Sequence, residues 1–157
     1  MDHDLVQLYS DRLLALAADV PLTGRLADPQ GSGMARSPLC GSQITVDLRL
    51  EGGRIADFRQ DVRACALGQA AAAVVGGAIL GRNRAEVARA RAELAAMLAA
   101  AGPAPAPPFD GLEALLPARG FPNRHASILL ALDATLLALE AAAKKDAAHP
   151  MGDGGIQ

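Results

Sequence analysis

Three observations on this sequence predict an α+β fold, a small antiparallel β-sheet of about three strands packed against a layer of α-helices. Residues 43–50 alternate between Ile44, Val46, Leu48, Leu50 and Gln43, Thr45, Asp47, Arg49. That is the period of a strand with one buried face. Glu51-Gly52-Gly53-Arg54 then turns the chain back into a partner strand over 55–63, with Phe58 and Val62 facing inward. Beyond residue 65 the period becomes helical. The hydrophobic fraction is 51% but aromatics are only 3%, so alanine and leucine dominate, a composition that favours closely packed helices.

The elements follow in order. Residues 4–18 carry a helical stripe of Leu5, Leu8, Tyr9, Leu13 and Leu16 that ends before Pro21. Prolines and glycines around Asp28 make residues 21–38 mostly loop. After the two strands, residues 66–80 are apolar all round and predict a central, buried helix. Asn83 and Glu86 occupy the N-cap and N3 positions of a capping box. They open a helix that buries Val87, Leu94, Met97 and Leu98. Gly102 to Pro108 is a stiff proline–alanine spacer. Asp110 and Glu113 are expected to cap a short helix holding Leu112, Leu115 and Leu116. A last helix over about 123–145 buries Ile128, Leu132, Leu136 and Leu139. We therefore expect one domain over 1–145 and a disordered tail over 146–157.

Several function classes are disfavoured. A formal charge of −2, a single Tyr and no Trp give neither a basic footprint nor a stacking platform, so no nucleic-acid partner is expected. Met1-Asp2-His3-Asp4 has no basic flank or apolar core of a signal peptide. The run Ala70 to Leu80 is short for a bilayer and holds Gly76 and Gly77, so no membrane partner is expected either. Two cysteines do not build a disulfide framework. These features predict a cytoplasmic protein with reduced thiols.

The two cysteines are the candidate chemistry. Cys65 ends the second strand and begins the buried helix, where unpaired N–H groups and the helix dipole favour a thiolate. Cys40 precedes the first strand, and antiparallel pairing brings it to the same end of the ribbon as Cys65. His125 opens the last helix, and its imidazole is of a type that ligates zinc. Ser42 and Ser127 lie near these residues but are poor metal ligands. Cys65 as a nucleophile with His125 as base is the enzymatic alternative. No substrate pocket can be read for it, and a non-enzymatic role is expected.

Ser37-Pro38-Leu39-Cys40-Gly41-Ser42, the strand–turn–strand that follows, Ala64-Cys65-Ala66-Leu67 and Phe121-Pro122-Asn123-Arg124 come in a recognisable order. In these segments, over about residues 5–140, the chain resembles the U-type iron–sulfur cluster assembly scaffolds, the IscU, SufU and NifU N-terminal family. The resemblance implies a SufE/NifU-like fold and a scaffold or sulfur-acceptor role. It also implies zinc, iron or an iron–sulfur cluster as cargo, and a cysteine desulfurase and other iron–sulfur assembly proteins as partners. The metal ligands would be Cys40, Cys65 and His125. In the family's pattern an aspartate stands where this chain has Ser42. A third cysteine stands at Ser127 or Ala126, according to whether the proline or the His-x-Ser-Ile-Leu run sets the alignment. The site is thus short of ligands, and a metal-free protein-interaction module is the alternative role.

Overall fold

The computed structural model describes residues 8–39 and 41–148. Its centre is a three-stranded antiparallel sheet in the order β1-β2-β3, with β1 at Gly31–Arg36, β2 at Gln43–Glu51 and β3 at Arg54–Arg63. Helices follow and flank it: α1 at Asp11–Ala17 before the sheet, then α2 at Ala66–Ala78, α3 at Arg84–Ala99 and α4 at His125–Ala148. A 3-10 helix at Asp110–Gly120 and a short 3-10 turn at Pro122–Arg124 lead into α4.

The β2–β3 hairpin is the one the sequence predicts. Gly52 and Gly53 have φ of +60° and +78°, the paired positive angles that match a two-residue turn to the twist of its strands. Strand β1 was not expected, because Gly31-Ser32-Gly33 reads as loop. The glycines are there for packing. A Cβ on Gly31 would lie 2.1 Å from the Ala138 carbonyl oxygen, and one on Gly33 would lie 2.5 Å from the Ala138 nitrogen. The strand lies directly on the α4 backbone, a contact that only glycine allows.

The inner face of the sheet presents Ile44, Val46, Leu48 and Phe58, all buried, with α2 and α4 packed against it. Gln60 takes an inward position in register with Val46 and donates from Nε2 to the carbonyls of Pro21 and Ala72 at 3.2 and 3.0 Å. On the outer face Asp47 is also buried. It accepts from Arg25 Nε at 2.7 Å, Ser32 Oγ at 2.6 Å and the Leu26 N–H at 2.9 Å. These bonds pin the 21–30 segment across the sheet.

The helices follow the expected pattern with shifted limits. Asn83 and Glu86 form the reciprocal capping box of α3, and Val87, Leu94, Met97 and Leu98 are buried. Helix α1 starts at Asp11, capped by Ser10 Oγ on the Leu13 N–H at 3.2 Å. Residues 1–7, with the Leu5 placed on that helix, lie outside the described residues. The segment after the spacer is 3-10 rather than α, no side chain caps it, and neither Asp110 nor Glu113 takes the N-cap, which is Phe109. Leu112 and Leu115 are buried there, whereas Leu116 is exposed. In α4, Ile128, Leu132 and Leu139 are buried and Leu136 is half-buried. Helix α4 continues to Ala148, past the expected limit of 145, and residues 149–157 of the expected tail lie outside the described residues. The stretch Pro122–Asp146 is apolar and long enough to cross a bilayer, yet 56% of its most apolar window is buried inside the molecule. Its apolar length is explained by packing against the sheet, α2 and α3.

Candidate functional site

Pairing of Gln43 with Arg63 closes one end of the β2–β3 ribbon and sets Ser42 alongside Cys65. Ser37 is drawn to Gly41 and Ser42 by backbone hydrogen bonds. The Ser37 N–H donates to the Ser42 carbonyl at 2.8 Å, the Gly41 N–H donates to the Ser37 carbonyl at 2.9 Å, and Gly41 has φ +74°, a left-handed angle suited to glycine. This turn delivers the Ser42 side chain to the Cys65 backbone, whose N–H donates to Ser42 Oγ at 3.4 Å.

Cys65 is the N-cap residue of α2, with extended backbone angles of φ −68° and ψ 172°. Its carbonyl accepts from the Gln69 N–H at 2.9 Å, and Gln69 Nε2 donates back to the Ala64 carbonyl at 2.9 Å. The thiol does not hydrogen-bond the first turn of its own helix, although the sequence places it where those N–H groups lie. It turns towards α4 instead, and Sγ lies 3.4 Å from Ser127 Oγ. Ser127 in turn donates to Ser42 Oγ at 3.0 Å. Both serines are buried, Ser127 completely so.

The close approach of α2 to α4 depends on Gly68. A Cβ there would lie 2.8 Å from Ser127 Oγ and 2.8 Å from the Ala64 Cβ. Gly68 stands one helical turn after Cys65, where a bare backbone lets Ser127 reach the thiol. Sequence reading passed over this residue. The available signal was a glycine at the i+3 position after a helix-opening cysteine.

Ser42, Cys65 and Ser127 are therefore brought together from three distant segments. His125 opens α4, with Nε2 2.9 Å from the Ala118 carbonyl oxygen. A carbonyl can only accept, so Nε2 carries the proton in this contact and Nδ1 holds the lone pair in the neutral ring. Cys40 lies outside the described residues. Of the two positions matching the family's third cysteine, Ser127 has its side chain in the cluster and Ala126 is exposed.

The described residues do not fit a zinc ion or an iron–sulfur cluster. Among them no group of three or more His, Cys, Asp and Glu side chains converges. Beside Cys65 Sγ stands the Ser127 hydroxyl, which stays protonated at neutral pH, whereas zinc and clusters take thiolate, imidazole or carboxylate ligands. A separate cavity of about 450 Å³, lined by Arg12, Leu16, Pro21, Ala73, Val74 and Gly111, includes none of these residues.

Comparison with known proteins gives a consistent result. The family model described as the NifU-like N terminal domain matches residues 8–107. The crystal structure of the N-terminal part of a nitrogen-fixing NifU-like protein from Brucella abortus is similar at 35% identity. It covers 90% of this chain and 99% of its own, with a TM-score of 0.87. A putative iron–sulfur cluster assembly scaffold protein for the SUF system from the thermophile Fervidobacterium islandicum shares the fold, with a TM-score of 0.76 at 18% identity. That match covers 85% of this chain and 98% of the other. No curated protein matches the chain. The three-stranded antiparallel sheet with its flanking helices is thus an α+β fold of the NifU and SufU kind. With the family model spanning more than half of its length, this chain belongs to the NifU-like N-terminal domain family.

Proposed function

We propose that this protein serves iron–sulfur cluster assembly as a non-enzymatic sulfur acceptor of the U-type scaffold kind, taking sulfane sulfur at Cys65 from the persulfide of a cysteine desulfurase. Family membership supports the pathway. The observation that carries the residue is Cys65 at the opening of α2, only partly buried, with its sulfur turned to a hydroxyl 3.4 Å away.

The step requires nothing beyond the two proteins. The Cys65 thiolate attacks the terminal sulfur of the donor persulfide and forms a new S–S bond. The donor's S–S bond breaks, and the donor departs as a thiolate. Cys40, placed by the sequence at the same end of the ribbon, is the second acceptor thiol in this reading. The other half of the expected role is zinc or iron held by Cys40, Cys65 and His125. It has one thiol and one imidazole to draw on among the described residues, and no converging set.

A metal-free interaction module is the second reading, favoured by Ser42 and Ser127 standing where the family pattern places ligands. Incubation with a cysteine desulfurase and cysteine under anaerobic conditions separates the two. Gain of one sulfur atom on the Cys65 peptide, seen by mass spectrometry and absent in Cys65→Ser, supports the acceptor role. Desulfurase binding without sulfur gain at either cysteine supports the module.

A further inference from the structure

Resting on the acceptor reading above, we infer that this chain has kept the sulfur half of a scaffold site and lost the metal half, so that its own cargo is sulfane sulfur rather than zinc, iron or a cluster.

The cluster around Cys65 is built in a way that suits one cargo and not the other. Ser127 Oγ occupies the space beside Sγ at 3.4 Å, where a coordinated ion would need an anionic or imidazole neighbour. Ser127 and Ser42 are joined to each other at 3.0 Å and the Cys65 N–H is joined to Ser42 at 3.4 Å. Both hydroxyls are therefore committed to a hydrogen-bonded chain, and both are buried. His125 donates from Nε2 to the Ala118 carbonyl, which leaves Nδ1 as its one ligating nitrogen. Even with Cys40 counted, the thiols and the imidazole make three ligands, one short of a closed tetrahedral site. A persulfide makes a smaller demand. It needs one thiolate to form on, which Cys65 supplies, and a donor for its terminal anion, which the Ser127 hydroxyl becomes by turning its one proton from Ser42 Oγ towards the sulfur.

The same geometry names the changes that would restore metal. Aspartate at position 42 adds a carboxylate beside the Cys65 backbone, and cysteine at 126 or 127 adds a thiolate on α4. The experiment is anaerobic titration of the reduced, full-length protein with zinc and with ferrous iron against a chromophoric chelator. Wild type, Cys65→Ser, Ser42→Asp/Ala126→Cys and Ser42→Asp/Ser127→Cys are compared, with circular dichroism on each. The expected result is no stoichiometric metal on wild type, and one equivalent on a double variant with affinity tightened roughly tenfold or more per restored ligand. One equivalent of tightly held zinc on wild type, lost in Cys65→Ser, overturns the inference and leaves sulfur acceptance intact. Failure of both folded double variants to gain metal also overturns it, because the replacements are then not what excludes the ion. The wild-type titration stands even if a double variant unfolds. Absence of sulfur transfer to Cys65 from a desulfurase overturns the underlying reading, whatever the metal result.

Discussion

Asp47 bears a carboxylate with no solvent access, on the face of the sheet where the alternation of β2 predicts exposure. Burial alone would push its pKa up. Hydrogen bonds from Arg25, Ser32 and the Leu26 N–H, with the charge of Arg25, outweigh burial and hold it below the ordinary carboxylate value. A folded-state pKa below the unfolded one means that the stabilisation is fully present above about pH 3.9 and is lost as pH falls through the folded value. We expect Asp47→Asn to lower stability at pH 7 by about 1–3 kcal/mol. Urea unfolding midpoints of the two proteins should converge below about pH 4, and a constant gap down to pH 2 would contradict this account. Ser127 is the comparable residue of the site. Ser127→Ala removes the hydroxyl that contacts both Ser42 Oγ and Cys65 Sγ, and should cost about 1–2 kcal/mol in chemical denaturation. The family resemblance marked Ser127, or Ala126, as the place of a missing ligand. The role of Ser127 as the thiol's partner was not legible, because that depends on Gly68 letting two helices meet.

At the scale of elements, the parts most legible in the sequence were those fixed locally. The β2 alternation, the Gly52-Gly53 turn and the Asn83–Glu86 capping box each lie within one short stretch, and each formed where the pattern put it. Strand β1 was illegible because its glycines answer to α4, more than a hundred residues further along. Gly33→Ala should therefore be severe. Its Cβ would meet the α4 backbone at 2.5 and 2.6 Å, and a loss of about 3 kcal/mol or more is expected in thermal or urea unfolding. Helix α2 offers a paired test. A Cβ on Gly76 would lie 2.6 Å from Gln60 Nε2, whereas one on Gly77 meets nothing within 4 Å. Gly77→Ala should raise stability by about 0.5–1 kcal/mol through helix propensity, and Gly76→Ala should lower it. Equal effects at the two positions would refute the packing described for that face.

For the molecule as a whole, composition and period were enough for the α+β class, since a two-residue period followed by a long helical one leaves few layer arrangements. The site was legible as a place, one end of the ribbon, because antiparallel pairing fixes which segments meet. It was not legible as a chemistry. Whether hydroxyls stand beside the thiol as partners or as bystanders depends on rotamers and helix packing that no sequence period encodes. Helix α4 shows the same limit in another form. By length and mean hydropathy it could cross a membrane, and only its position against the sheet explains why it is apolar.

Ser42, Cys65 and Ser127 are 85 residues apart at the extremes, and their contact carries a consequence for folding order. Contacts between such distant segments form only after long loops have closed, and here only after the final helix has docked. The environment of the thiol is thus complete only when the chain is. During refolding from urea, pulsed alkylation of Cys65 in a Cys40→Ser background should slow in step with α4 docking. Protection that appears while α4 is still undocked would show that the hydroxyl on α4 plays no part in shielding the sulfur. A nascent or truncated chain lacking its last helix presents a bare thiol on this account, open to alkylation and oxidation until that helix docks.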